Sequence, residues 1–257
     1  MSFFSWLRNR ALTHTPRGRA QRRPAAPRFR PQLEALDARW LPSTLTVTSN
    51  LGFGAGSLRD EIATAHSGDT IVFAPSLRGQ TIDVSSNPPG FGGSYELVID
   101  KSLDIEGPGA SNLAINGGNI ARVFRVTAGV QVTLSGLTIE NGNGRTGAYD
   151  PTADDGMGGS ILNYGTLTVS GCLVSGDSVN TNAYYGGGIY NAGTLTVSGS
   201  TVTHNIARYA GGGIYNAGTL TVLNSTVINN SAPDGADVFT DHQFTKKNSK
   251  IGKVAYF

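Results

Sequence analysis

Carboxylates set among glycines are where this chain would do chemistry, and they gather in one segment. Residues Asn141–Gly159 read NGNGRTGAYDPTADDGMGG and hold Asp150, Asp154 and Asp155 beside Arg145 and Tyr149. Hydrolysis of a polysaccharide needs two carboxyl groups facing each other across a cleft. Elimination from an acidic sugar needs a base close to a carboxylate-bound calcium ion. Asp150, Asp154 and Asp155, with Arg145 and Tyr149, are therefore the candidate contacts for calcium or a sugar. Aspartates in a glycine-rich loop are also the usual content of a solvated turn. No residue is assigned a catalytic role, and calcium is the only ion this segment suits.

Other reactive types are scattered. Cys172 is the one cysteine, which excludes an internal disulfide framework and a cysteine-based zinc set. It aligns with Leu137, Ser200 and Ser225, a column of buried small residues rather than nucleophiles. His204 aligns with Glu140 and Asn229 at an exposed turn, where a lone histidine is a tolerated polar residue. Tyr184, Tyr185 and Tyr209 precede glycine triplets, placed either to stack on sugars or to cover a corner. Paired threonines (Thr166 and Thr168, Thr194 and Thr196, Thr219 and Thr221) point outward. Such an array can order water, but threonine is also a favoured outward strand residue.

What must position these residues is a repeat. GGGIYNAGTLTV occurs unchanged at Gly186–Val197 and Gly211–Val222, and GGSILNYGTLTV at Gly158–Val169 keeps nine of the twelve residues. The copies start 28 and 25 residues apart, about one solenoid turn. Around them lie short alternating strands (ELVI, SLDIEG, NLAING, RVFRV, VQVTL, LTIENG) separated by turn residues. No crossover helix lies between them, so βα folds are excluded. Aligned by Leu-Thr-Val, like residues form columns: Val132, Leu167, Leu195, Leu220; Leu134, Val169, Val197, Val222; Ile139, Val174, Val202, Val227. A sandwich has no reason to restore such columns; a right-handed parallel β-helix of about seven coils does. Asn163, Asn191 and Asn216 form one polar column and Asn205 and Asn230 another, expected as amide ladders that satisfy buried groups. The glycine triplets lack the Lys and Thr of a phosphate loop. Upstream, Ser57 should cap a short helix with Asp60 and Glu61 in its first turn. Leu58, Ile62 and Ala65 on one face would cover the first coil.

Charge divides the chain. Residues 1–42 carry nine Arg against Glu34 and Asp37, a net of 9 − 2 = +7; the remainder carries 11 basic and 16 acidic residues, a net of −5. The basic part, residues 1–43, is too poor in apolar residues to fold alone. A nucleic-acid arm is disfavoured, because basic and aromatic residues do not interleave beyond it. No apolar run is long enough to span a bilayer. The expected divisions are a disordered leader at 1–43, a β-helix at 44–237 and an irregular basic tail at 238–257, read as a truncation whose missing portion carried a cap or anchor.

Two resemblances add to this. Pro31, Leu33, Glu34, Leu36, Arg39, Leu41, Pro42 and Ser43 resemble an N-terminal sorting motif of large extracellular proteins from planctomycete bacteria. From Leu45 to Asp237, GSLRDEIATA, DTIVFAPSLRGQTIDV, ELVIDKSLDIEGPGASNLAINGG and the Gly-Gly-x-Ile and x-x-Asn elements resemble parallel β-helix surface proteins. These include the polymorphic outer-membrane protein repeats, and the same fold carries pectin lyases. The resemblance implies secretion or surface display, a structural or adhesive role, and extracellular polysaccharide or protein as partner. It also supplies the rival expectation, a lyase or glycoside hydrolase acting on acidic polysaccharide through the aspartate segment. The Gly-His-Gly and Arg-x-Lys elements of polygalacturonases are absent from the sequence.

Overall fold

The computed structural model of the chain describes residues 41–86, 95–145, 154–176 and 183–257. The leader to residue 40, including most of the sorting motif, lies outside them, as do Tyr149 and Asp150. The described chain winds into a right-handed parallel β-helix whose turns each give one strand to each of three sheets. The first sheet comprises Thr44–Val47, Thr70–Phe73, Leu103–Glu106, Gln131–Ser135, Thr166–Ser170, Thr194–Ser198, Thr219–Leu223 and Phe244–Lys247. The second comprises Gln80–Asp83, Leu113–Asn116, Thr138–Glu140, Leu173–Ser175, Thr201–Thr203, Thr226–Ile228 and Lys250–Ile251. The third comprises Leu97–Ile99, Phe124–Val126, Ile161–Asn163, Ile189–Asn191, Ile214–Asn216, Val238–Thr240 and Val254–Tyr256.

Register follows the apolar columns. Leu103, Val132, Leu167, Leu195, Leu220 and Phe244 lie opposite one another on successive parallel strands. Since side chains alternate across a strand, every second column of a sheet faces inward and stacks at the strand spacing of about 4.8 Å. These columns form a continuous buried core from Val47 to Val238. At its start lies the helix Leu58–Thr64, where Ser57 Oγ accepts the Asp60 N–H at 3.2 Å. Leu58, Ile62 and Ala65 are buried in the same cluster as Val47 and Ile71. Lys101 Nζ donates to the carbonyls of Ile62 and Ala63 at the helix's far end, where the dipole favours a cation.

The three corners differ, and the differences place everything functional. From Gln131–Ser135 onward the turns between the first and second sheets are two residues long: Gly136–Leu137, Gly171–Cys172, Gly199–Ser200, Asn224–Ser225 and Asn248–Ser249. The first residue of each is left-handed, with φ between 47° and 59°, which selects Gly or Asn. The second turns inward and builds a hydroxyl ladder: Ser200, Ser225 and Ser249 Oγ accept the N–H groups of Cys172, Ser200 and Ser225 at 3.0, 3.1 and 3.2 Å. Between the third and first sheets the turns are again short, Tyr164–Gly165, Ala192–Gly193 and Ala217–Gly218. Here Asn163 Nδ2 donates to Asn191 Oδ1 at 2.7 Å, Asn191 to Asn216 at 2.7 Å, and Asn216 to Thr240 Oγ1 at 3.0 Å.

The widest variation in length falls at the third corner, between the second and third sheets. Successive connections there are 117–123, 141–160, 176–188, 204–213 and 229–237, or 7, 20, 13, 10 and 9 residues. Asn205 Nδ2 donates to Asn230 Oδ1 and Asn230 Nδ2 to Asp237 Oδ1, both at 2.9 Å. The glycine triplets close this corner: a Cβ at Gly187 would lie 2.4 Å from the Gly212 carbonyl of the next coil.

Two expectations are corrected. Residues 238–257 are not irregular; Phe244–Lys247, Lys250–Ile251 and Val254–Tyr256 make one more complete turn. The apolar pattern was hidden because the register sets Lys246 opposite Val222 and Lys247 opposite Leu223. A last strand has a neighbour on one side only, so these lysines stay exposed while Phe244, Ile251 and Val254 pack on the core. His204 does not align with Glu140, which pairs with Ser175 in the Thr203 column. It occupies instead the left-handed position of Asn141 and Asn229, with φ of 57°.

Candidate functional site

The described ends of the acidic segment, residues 141–145 and 154–159, lie at the third corner beside the third sheet. The segment's base is held by a residue that the sequence reading passed over. Arg122, with its side chain fully buried, donates through Nη2 to the Gly144 and Asp154 carbonyls at 3.0 and 2.7 Å. Through Nε it donates to Met157 and Gly158 at 3.0 and 3.2 Å. One guanidinium thus ties both ends of the excursion, its fork supplying the donors that carbonyls at a loop base require. Its charge is met by Glu96 Oε2 at 2.5 Å, equally buried.

Asp154 belongs to the same network. Its Oδ2 lies 2.6 Å from Arg125 Nη2, and its Oδ1 accepts the Tyr164 hydroxyl at 2.5 Å. Arg125 Nη1 also faces Glu96 Oε1 at 3.6 Å. Two arginines therefore balance two carboxylates. The Tyr164 hydroxyl is pushed above its ordinary pKa, first by burial and then by its bond to Asp154, so it remains the donor. Both Asp154 oxygens are thus engaged within the protein. Asp155 Oδ1 is shielded and makes no hydrogen bond, and Arg145 is exposed. Among the described residues no three His, Cys, Asp or Glu side chains converge on a metal-sized space. No helix there is long and apolar enough to cross a membrane.

The outward column of the third sheet runs Val98, Arg125, Leu162, Tyr190, Tyr215, Phe239 and Ala255. Leu162 points outward yet is fully buried. In its coil, Leu162 and Tyr164 stand where the later copies have Tyr190 and Ala192, or Tyr215 and Ala217. The ring has moved two positions, from the strand to the turn, and there it reaches Asp154. Beyond the network the column becomes aromatic. Tyr190 and Tyr215 stack at 5.1 Å with planes 3° apart, and Tyr215 and Phe239 at 5.0 Å and 13°. Tyr185 meets Tyr215 edge-on at 5.2 Å, while Tyr209 joins Tyr185 and Tyr184 at 5.6 Å each. Arg208 lies over the Tyr184 and Tyr209 rings. The three corner tyrosines singled out in the sequence thus join a stripe whose other members are Tyr190 and Tyr215, legible only as parts of the repeat, and Phe239, which fell in the segment expected to be irregular.

No family model, curated protein or solved structure matches the chain. Function rests on the site alone.

Cys172 is buried, and burial raises its thiol pKa, which suits the packing role its column implied. The outward threonines are in register across the first sheet, where Thr133, Thr168, Thr196, Thr221 and Thr245 form one row.

Proposed function

We propose that the chain is a non-enzymatic structural or adhesive protein of the cell surface or extracellular space. In this reading it is a β-helix of the polymorphic outer-membrane protein or pectin-lyase-like kind, with carbohydrate as its partner. The observation that carries it is the use made of Asp154. The carboxylate best placed for chemistry serves as the clasp of a loop, neutralised by Arg125 and bonded by Tyr164, while the neighbouring outer face is a stripe of tyrosines. Tyrosine offers an apolar ring with a polar tip, the combination that suits a polyhydroxylated partner. The test combines protease shaving of intact producing cells with a glycan panel probed by purified protein. Release from intact cells and retention on glycans are expected; protection from the protease together with binding to no glycan overturns the reading.

The rival reading is favoured by Asp155, whose shielded Oδ1 lacks a partner. Release of reducing sugar or unsaturated uronate from pectin or alginate, abolished in Asp155→Ala, would establish it over the first.

A further inference from the structure

We propose that the aromatic stripe on the third sheet is a track for a neutral, extended polysaccharide lying parallel to the solenoid axis. The inference rests on the surface-protein reading and gives it a ligand class. Three observations carry it.

The first is periodicity. Tyr190, Tyr215 and Phe239 occupy one outward position on three successive rungs. Rungs repeat at about 4.8 Å, close to the advance of one residue in an extended hexose chain. Each sugar unit would therefore meet an equivalent side chain. A protein or lipid partner has no such reason to prefer a row of equal steps.

The second is the state of the polar tips. The rings of Tyr190 and Tyr215 are half-buried, yet neither hydroxyl makes a hydrogen bond among the described residues. Because these two rings and Phe239 cover one another's faces, they offer edges and hydroxyls. A hydroxyl that both donates and accepts matches the alcohols of a sugar. Ring faces come from the corner, where Tyr209 is tilted against its neighbours and 47% exposed.

The third is charge. Arg125, the cation of the same column, is tied to Asp154 and Glu96. The carboxylate of Asp241 acts on both Tyr190 and Tyr215. Along the strand column a polyanion would meet a carboxylate, Arg208 standing off it at the corner over Tyr184 and Tyr209, whereas a neutral sugar would find an acceptor for its hydroxyls. The strand column therefore selects against uronates, the substrates of the rival enzymatic reading.

The test uses the full chain in calorimetry with β-linked neutral glucan and mannan oligosaccharides from disaccharide to octasaccharide, and uronate oligosaccharides of the same lengths. Neutral affinity should climb with length and level off near three units, when every aromatic rung of the stripe is occupied. Tyr190→Phe and Tyr215→Phe keep the ring stack and remove only the hydroxyls. Each should weaken binding about three- to tenfold, the worth of one hydrogen bond, and the pair by more than tenfold. Tyr209→Ala should weaken it separately. Unchanged affinity in the double Phe variant, equal or tighter uronate binding, or no dependence on length would each overturn the track. Should the protein be surface-exposed and bind other glycans, the track alone fails; if it is neither exposed nor bound to any glycan, the reading beneath it fails too.

Discussion

Replacing Arg122 with methionine would remove the charge and donors at the base of the acidic excursion while filling much of the same volume. The variant loses the 2.5 Å contact to Glu96 and the bonds to four carbonyls. Breaking a buried pair by removing one partner costs about 3–5 kcal/mol. Three features place the expectation near the lower bound. Glu96 keeps Arg125 at 3.6 Å, Gly144 O still accepts Gly156 N–H at 2.9 Å, and Asp154 O still accepts Met157 N–H at 3.2 Å. The Met157 and Gly158 carbonyls lose their guanidinium donor. A loss of about 3 kcal/mol is expected, roughly a hundredfold or more in the local opening equilibrium. Because solenoid coils unfold semi-independently, the assay should be hydrogen exchange at the Gly144, Gly156 and Gly159 amides beside urea denaturation. Adding Glu96→Gln should recover about half of the loss, since a stranded carboxylate is then removed. A change below about 1 kcal/mol with unaltered exchange at these amides would refute the view that Arg122 closes the loop.

Three further outcomes are expected. Asn191→Leu removes donors to Gly193 O, Asn216 Oδ1 and Thr219 O, and the acceptor of Asn163. It should destabilise the central coils by about 2–4 kcal/mol in urea titration, and a loss under about 0.5 would make the ladder incidental. Asp69 lies below its ordinary pKa because the His66 and Ser43 backbone N–H groups donate to it at 2.7 and 2.6 Å. A folded pKa below the unfolded one gives stability that is present above about pH 4 and lost as pH falls through the folded value. The urea midpoint should drop between about pH 4 and pH 2, less steeply in Asp69→Asn; parallel profiles would contradict this. Cys172, its pKa raised by burial, should resist iodoacetamide at neutral pH in the folded protein and react promptly in urea. Rapid native labelling would count against its packing role.

How far the sequence could be read follows from the range of each interaction. Columns such as Leu167, Leu195 and Leu220 repeat a residue at a fixed interval, so identity alone reports contact. The same holds for Asn163, Asn191 and Asn216, but that ladder ends on Thr240, a different residue type reading the same hydrogen bond. The last coil was illegible because its core-register position opposite Val222 is Lys246. The Glu96–Arg122–Asp154 network joins residues 26 and 32 positions apart with no periodic signal, and no single residue betrays its partner. The aspartates were noticed for their composition, whereas their role depends on which arginines the winding brings beneath them.

The wide variation in length at one corner has an engineering consequence. Connections of 7 and 20 residues leave successive rungs, and the strands on either side stay in register. That flank is a natural grafting port: foreign peptides inserted into the connections 141–160, 176–188 and 204–213 would leave the solenoid on successive coils, a ruler for presenting epitopes at chosen separations.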